Sequence, residues 1–234
     1  MQIWTFWEGP ENEAVEDSLN TWRANLPGWS ITVLNTSQFL NLGLPVPSTF
    51  AQQTPTTKSD VARLAVLFAY GGLWMDASIL LRRPLDWLNL SSHAVTAFRI
   101  KGRRHIENWF LCAPAAHDVG IGKWAAALDS ILEYYPEFER APAYQQAEVV
   151  DRPRYFMSYQ AYLHLLNVDP EFLAWDAAVH TESATPHFCL LHPRMTKLTR
   201  RLRGIYNRRR ATAALTAAVT GAILVILLAA WQLR

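Results

Sequence analysis

The sequence predicts an α/β domain followed by a C-terminal transmembrane helix, and three observations support this prediction. Residues 3–34 read as a strand, a helix and a strand in succession, which is how an α/β sheet begins. An amphipathic helix and a short apolar strand follow over residues 58–78. Residues 211–233 carry no charge and are long enough to cross a bilayer. The expected organisation is a globular domain at 1–193, a basic juxtamembrane segment at 194–210 and the membrane span.

Clear turn signals separate the first three predicted elements. Residues 3–7 predict a strand, because aromatic and branched side chains run up to the Gly-Pro turn at 8–10. Residues 12–26 predict a helix, because apolar side chains recur there at i, i+4, i+7 and i+11. The Pro-Gly-Trp turn at 27–29 ends this helix, and residues 30–34 predict the second strand.

The helix and strand over residues 58–78 form the centre of the prediction. Ser59 is expected to cap the helix, because its hydroxyl can accept hydrogen bonds from amides of the first turn. Gly71 is expected to end it, because glycine can adopt a positive φ at a helix C-terminus. Residues 73–75 predict a short buried strand that ends at Asp76. The core-facing stripe of the helix consists of Val61, Leu64, Ala65 and Phe68.

Further elements are predicted after this centre. The predicted strands and helices are at 94–100, 106–113, 119–135 and 155–166. Residues 43–57 and 136–153 are rich in polar residues and proline, so we expect loops there. Asp169-Pro170 is expected to open a turn.

Three polar residues of the central stretch are expected to lie close together. Asp60 and Arg63 are three residues apart on one helix and therefore share a face. Asp76 follows a strand, and α/β sheets bind ligands where their strands end. A carboxylate in that place can bind a divalent cation through oxygen. The alternative interpretation is a surface Asp–Arg pair and an aspartate that begins a turn.

A family resemblance favours the functional interpretation. Ser-Asp-x-x-Arg, a hydrophobic turn, Gly-Gly-x-Trp and Asp-Ala-Ser together resemble glycosyltransferases with a DXD-type sugar-binding region. The pattern is most similar to the capsular polysaccharide synthesis family, with yeast mannosyltransferases and clostridial glucosylating toxins as distant relatives. Segments 21–29 and 107–114 resemble the same family. The resemblance implies a GT-A-like domain, a Rossmann-like mixed sheet flanked by helices, that binds a nucleotide sugar.

The resemblance also implies roles for individual residues. Trp7 would stack on the base of the nucleotide, and Asp60 and Arg63 would contact hydroxyls of the donor sugar or ribose. Asp76 would be the catalytic residue between sugar and metal, with Trp74 packed beside it. The implied reaction moves a hexose-type sugar from a nucleotide-sugar donor to a glycan or lipid-linked acceptor, in the synthesis of surface polysaccharide or glycoconjugate.

The cofactor implied is a divalent metal, Mn²⁺ or Mg²⁺, which would neutralise the leaving diphosphate and prefers oxygen ligands. Asp76 would bind it, while Ser78 stands where related families have a second aspartate and is a weaker ligand. The sequence therefore leaves metal dependence open. His187 and His192 are further candidate ligands near the C-terminal end of the domain.

Whether the reaction inverts or retains the anomeric configuration stays open in the sequence. An inverting reaction needs a carboxylate base at the acceptor hydroxyl, and Glu107 and Asp151 are both available. Glu107 could instead orient the acceptor, or have a structural role.

Composition limits the other classes of function. All 20 acidic residues lie in 1–193 together with 13 basic ones, so the predicted domain is acidic and nucleic-acid binding is a poor explanation of the basic segment. Two cysteines do not make a disulfide framework, so a reducing compartment is expected. The N-terminus shows no cleavable signal pattern. The motifs of serine hydrolases and phosphate-binding loops are absent.

The C-terminal segments predict a membrane location. Eight basic residues between 194 and 210 precede the apolar stretch, so the positive-inside rule places the domain on the cytosolic face. The same residues would attract anionic lipid headgroups. A lumenal orientation is the rival topology, because Asn35 and Asn89 lie in glycosylation sequons. A buried core helix is the rival for 211–233, and a catalytically inactive, membrane-tethered sugar- or nucleotide-binding protein is the rival function.

Overall fold

The computed structural model describes residues 1–10, 12–88, 90, 94–135, 140, 156–183 and 189–191. Its strands are β1 (Gln2–Phe6), β2 (Ser30–Leu34), β3 (Gly72–Met75), β4 (Ile79–Leu81), β5 (Thr96–Arg99), β6 (Glu107–Ala113), β7 (His180–Ser183) and β8 (Cys189–Leu191). Its α-helices are α1 (Glu13–Asn25), α2 (Thr36–Leu40), α3 (Pro55–Tyr70), α4 (Val119–Glu133), α5 (Met157–Val168) and α6 (Pro170–Ala178).

A mixed six-stranded sheet forms the centre of the fold, in the order β2-β1-β3-β6-β5-β7, and β4 and β8 form a separate two-stranded sheet. Strand β1 runs parallel to β2 and β3, whereas β6 runs antiparallel to both β3 and β5. The α/β prediction is therefore confirmed, because helices pack on a sheet that contains parallel strands.

Two apolar clusters cover the two faces of the sheet, and β3 contributes to both. Trp74 belongs to the cluster that contains residues of α3, α4 and α5, whereas Leu73 and Met75 belong to the cluster that contains residues of α1. Successive residues of a strand point to opposite faces, so this division follows from the pleat. Burial on both faces explains why β3 is apolar throughout.

The strand directions bring three chain segments to one edge of the sheet. Trp4 pairs with Trp74 in the parallel β1–β3 register, so the carboxyl ends of these strands lie side by side. Met75 pairs with Phe110 in the antiparallel β3–β6 register, so the amino end of β6 lies at the same edge. Asp76 at the carboxyl end of β3 and Glu107 at the amino end of β6 therefore lie at the same edge of the sheet.

The start of α3 differs from its prediction. The helix begins at Pro55 with Thr54 as N-cap, and the Thr54 hydroxyl accepts a hydrogen bond from the Thr57 amide at 3.2 Å. Ser59 therefore lies inside the helix, and the predicted cap there is wrong. Proline suits the first helical position because its fixed φ matches the helix. An N–H at that position would have no acceptor within the helix, so its absence in proline costs nothing.

Two adjacent glycines join α3 to β3, and the prediction that Gly71 ends the helix is confirmed. Gly71 has φ +66° and Gly72 has φ +100°, which side-chain-bearing residues rarely adopt. A Cβ on Gly72 would lie 2.6 Å from the carbonyl oxygen of Gln2. The close approach of β1 and β3 therefore requires glycine at position 72.

The C-terminal part of the described chain contains a helix that the sequence did not predict. Asp169 and Pro170 begin α6 rather than a simple turn: the Asp169 carboxylate accepts hydrogen bonds from the amides of Glu171 and Phe172, both at 3.0 Å. No helix in the part of the chain that the structure describes is long and apolar enough to span a membrane. The predicted span at 211–233 and the basic segment at 194–210 lie outside the described residues.

Candidate functional site

The structure brings Asp60, Arg63 and Asp76 together at the edge where β3 ends. The Arg63 guanidinium donates from Nη1 to Asp60 Oδ1 at 2.5 Å and from Nη2 to Asp76 Oδ1 at 2.8 Å. Arg63 is 3% exposed and Asp60 is 7% exposed, so this is a buried ion-pair cluster and not a surface pair. The Asp76 side chain keeps 34% of its surface exposed.

The Asp76 carboxylate is held by one of its two oxygens. Oδ1 accepts from Arg63 and also from the indole N–H of Trp74, at 2.8 Å each. Within the described residues no hydrogen bond reaches Oδ2. The carboxylate is thus fixed in orientation while one oxygen stays available to a ligand.

The Trp74 side chain contacts both Arg63 and Asp76. Its side chain is fully buried, and the Arg63 guanidinium carbon lies 5.0 Å from the ring centroid, within the range of a cation–π contact. Because the ring has no exposed surface, Trp74 orients Arg63 and Asp76 in this conformation and does not present a surface to a donor. The expectation that Trp74 packs beside Asp76 agrees with this geometry.

A second layer of polar groups links the cluster to β6 and α5. The side-chain amide of Asn108 donates to Asp60 Oδ1 at 3.1 Å and to Ser158 Oγ at 3.3 Å. The Tyr159 hydroxyl lies 2.9 Å from Asn108 Oδ1 and 3.1 Å from Glu107 Oε2, and donates its single proton to one of them at a time. Three segments distant in sequence therefore meet at one buried network.

Sequence reasoning named Glu107 but missed Asn108 and Tyr159. Asn108 lies inside the Glu-Asn-Trp-Phe segment that supports the family resemblance, so that segment was the signal that could have identified it. Tyr159 is one aromatic residue among several in α5, and nothing in its local pattern distinguishes it from a core residue.

The charges of the cluster do not balance, because one guanidinium serves two carboxylates. Burial raises the pKa of Asp60 to about 6 and the negative charge of Asp76 adds to this, although Arg63 acts in the opposite direction. Burial alone would lower the pKa of Arg63, but the negative charges of Asp76 and Asp60 together raise it above its usual value. Burial, with the charge of Glu107, raises the pKa of Tyr159 well above its usual value, so its hydroxyl remains a donor.

The raised pKa of Asp60 predicts a specific pH dependence of stability. Between an unfolded pKa near 3.8 and a folded pKa of about 6, the folded state binds more protons than the unfolded state. This contribution to the free energy of unfolding therefore falls as pH rises from about 4 to about 6, by on the order of 2 kcal/mol. Asp60→Asn lacks the titration, so the stability difference between wild type and variant should change over this window. Urea unfolding at several pH values measures it; a constant difference would contradict the prediction.

The remaining candidate residues are placed as follows. Trp7 is half-buried just beyond the carboxyl end of β1, and its indole N–H donates to the Pro10 carbonyl at 3.1 Å. Ser78 is half-buried in the turn that follows Asp76. Asp151, His187 and His192 lie outside the described residues.

The described residues do not form a metal site by themselves. They include no group of three or more histidine, cysteine, aspartate or glutamate side chains placed to hold an ion. Asp76 Oδ2 and the Ser78 hydroxyl supply at most two oxygens, and the Asp76 carboxylate is already paired with Arg63. A cation would fit here only if a bound ligand contributed the other oxygens.

A cavity of about 360 Å³ lies elsewhere on the molecule, at the amino end of β1. Met1, Asn25, Trp29 and Pro84 are among the residues that line it. It contains none of the candidate site residues, so the site beside Asp76 is an open edge of the sheet rather than this cavity.

Comparison with known proteins gives a family and one related protein. A family model described as "Capsular polysaccharide synthesis protein" matches residues 1–150. The chain is 25% identical over 194 residues to "Glycosyltransferase afumC" of Aspergillus fumigatus, which covers 68% of the chain and 49% of that protein. The chain thus spans about half the length of this curated relative.

Two solved structures are also similar. The first, "PaToxG Glycosyltransferase", has a TM-score of 0.43 and 15% identity, covering 74% of this chain and 72% of the other. The second is a glycosyltransferase involved in glycosylation of the major capsid of PBCV-1, with a TM-score of 0.42 and 9% identity, covering 78% and 81%.

Proposed function

Because the chain belongs to the capsular polysaccharide synthesis protein family, we propose that it is a glycosyltransferase of GT-A-like type with a DXD-like motif. In this proposal it moves a hexose-type sugar from a nucleotide-sugar donor to a glycan or lipid-linked acceptor. The relative with a stated activity is a glycosyltransferase, which favours an enzyme over a protein that only binds sugar.

The observation that supports this proposal best is the state of the Asp76 carboxylate. It stands at the carboxyl ends of the parallel strands β1 and β3, where α/β sheets bind ligands. Two donors fix its Oδ1, and Oδ2 remains available on a side chain that is 34% exposed. A preorganised acceptor at an open edge suits the recognition of sugar hydroxyls, which are hydrogen-bond donors.

The proposed mechanism assigns different tasks to the residues at this edge. Asp76 Oδ2 accepts a hydrogen bond from a donor-sugar hydroxyl and thereby fixes the anomeric carbon for attack by the acceptor hydroxyl. The bond between that carbon and the diphosphate breaks, and the acceptor proton passes to a base or to the leaving group. Arg63 and Asp60 are buried, so they position Asp76 rather than contact the sugar in this conformation. Trp7, at the end of β1, remains the proposed partner of the nucleotide base.

The proposal includes a divalent cation, Mn²⁺ or Mg²⁺, that both the protein and the donor diphosphate would bind. Asp76 and Ser78 would contact it, and diphosphate and water would complete its coordination. When bound, it would neutralise the charge of the leaving diphosphate. His187 and His192 remain proposed further ligands, and both lie outside the described residues.

The cellular context is likewise a proposal. The uncharged stretch at 211–233 and the basic segment before it support a single-span anchor with the catalytic domain on the cytosolic face. Such a location would give the enzyme access to soluble nucleotide sugars and to a lipid-linked acceptor at the same surface.

Donor hydrolysis tests the proposal without knowledge of the acceptor. The full chain, purified in detergent, is incubated with a panel of nucleotide sugars with and without Mn²⁺, and release of nucleotide is measured. We expect slow release from one donor, and the effect of Mn²⁺ then reports whether the Ser78 site uses metal. Donor binding without release, or without transfer to any acceptor glycan, would favour the binding-protein alternative. The proposal is rejected if the folded protein neither binds nor hydrolyses any donor.

A further inference from the structure

Trp109 lies beside Asp76 where β6 pairs with β3, in a part of β6 that is irregular in its pairing with β5. Ala97 of β5 pairs with Leu111, but the following residue, Phe98, pairs with Glu107, so the register shifts across residues 108–110. Such bulges redirect side chains and occur often beside active sites. Here the shifted segment contains Trp109, whose carbonyl oxygen accepts the backbone N–H of Asp76 at 3.0 Å. The two residues are therefore held as direct neighbours.

The ring of Trp109 is fixed on two sides. Phe98 stacks against it with the ring planes 1° apart and the centroids at 5.3 Å. The indole N–H donates to Glu107 Oε2 at 2.9 Å, and Tyr159 holds the same oxygen at 3.1 Å. Unlike Trp74, Trp109 is only partly buried. A tryptophan that is locked in orientation and keeps exposed surface is preorganised to receive a flat ligand.

We propose that Trp109 is the stacking platform for the pyranose ring of the donor sugar, in one subsite with Asp76. A pyranose carries C–H groups on its ring faces and hydroxyls around its rim. An aromatic ring and a carboxylate oxygen on two neighbouring residues match both features, because the ring can contact the C–H groups while Asp76 accepts from a hydroxyl. This inference rests on the proposed function and adds a residue that binds the sugar ring.

Glu107 acts in this subsite as a positioning residue. Its carboxylate is buried and its Oε2 is engaged by the Trp109 indole and the Tyr159 hydroxyl, so it fixes the plane of the ring. Glu107→Leu removes this acceptor and should weaken binding of the nucleotide sugar more than binding of the nucleoside diphosphate. Glu107→Gln keeps an acceptor oxygen for the indole N–H and should restore part of the loss.

Paired binding measurements test the platform. Calorimetry on the full chain in detergent gives dissociation constants for the preferred nucleotide sugar and for its nucleoside diphosphate alone. For Trp109→Leu we expect about tenfold weaker binding of the nucleotide sugar, because an aromatic contact is lost. Binding of the nucleoside diphosphate should change by less than about twofold. Trp109→Phe keeps an aromatic face and should restore most of the affinity, which also covers the case in which the leucine variant does not fold.

Controls separate this inference from the proposed function. Trp29 is a partly exposed tryptophan at the opposite edge of the sheet, and Trp29→Leu should change neither affinity. An equal loss for both ligands, or no loss for either in Trp109→Leu, would overturn the platform while leaving a donor-binding wild type intact. A wild type that binds no nucleotide sugar would overturn the proposed function itself, and the platform with it.

Discussion

Arg63→Met should lower the free energy of unfolding by about 3–5 kcal/mol at pH 7. The variant keeps an unbranched side chain of similar length but removes the one cation that contacts Asp60 and Asp76 among the residues that the structure describes. Asp60 is then buried without a charge partner, which is the costly case for an ion pair in the protein interior. Chemical denaturation of the full chain measures the loss. It should be smaller near pH 5, where Asp60 takes up a proton.

Matched variants distinguish this prediction from a general sensitivity to arginine replacement. Arg23 pairs with Glu16 at 2.7 Å, but both side chains are more than half exposed, so Arg23→Met should change stability by less than about 1 kcal/mol. Arg63→Lys keeps the charge but loses the fork that reaches two carboxylates, and should fall between wild type and Arg63→Met. Equal effects of the Arg23 and Arg63 replacements would contradict the role of the buried cluster.

The elements that the sequence predicted well are those with local signals. Strand β2 was predicted with its observed bounds and α1 within one residue at each end, because turn residues and apolar periodicity mark them. The start of α3 was misplaced because Ser59 and Thr54 are both acceptable caps by residue type. Only the packing of the preceding loop decides between them.

In the candidate site, too, the features with local signals could be predicted and those that depend on tertiary packing could not. The proximity of Asp60 and Arg63 follows from helix geometry, and the position of Asp76 follows from the end of a strand. The burial of Asp60 and Arg63 was not predictable, because it depends on β6 and α5 closing over α3. Trp109 lies beside Asp76 because of the register in which β6 pairs with β3, and that register is a property of two paired strands that leaves no signal in one of them.

Asp76→Asn should lower the rate of donor hydrolysis by about 10²–10³-fold, a loss comparable to removing one preorganised group at a reacting centre. The amide oxygen of asparagine can still accept from Arg63 and Trp74 at the position of Oδ1, so the fold and the orientation of the side chain should persist. What changes is the other atom: an NH₂ group replaces the free oxygen Oδ2. A sugar hydroxyl then faces a donor instead of a negatively charged acceptor.

Asp86→Asn is the matched control for Asp76→Asn. Asp86 is exposed and lines the cavity at the amino end of β1, so Asp86→Asn should retain wild-type turnover. Both variants should unfold at nearly the wild-type denaturant concentration, because neither substitution removes a packed group. Wild-type turnover in a correctly folded Asp76→Asn would exclude this carboxylate as the catalytic group. Loss of turnover with unchanged nucleoside diphosphate binding would place its contribution at the sugar, where Oδ2 is free to act.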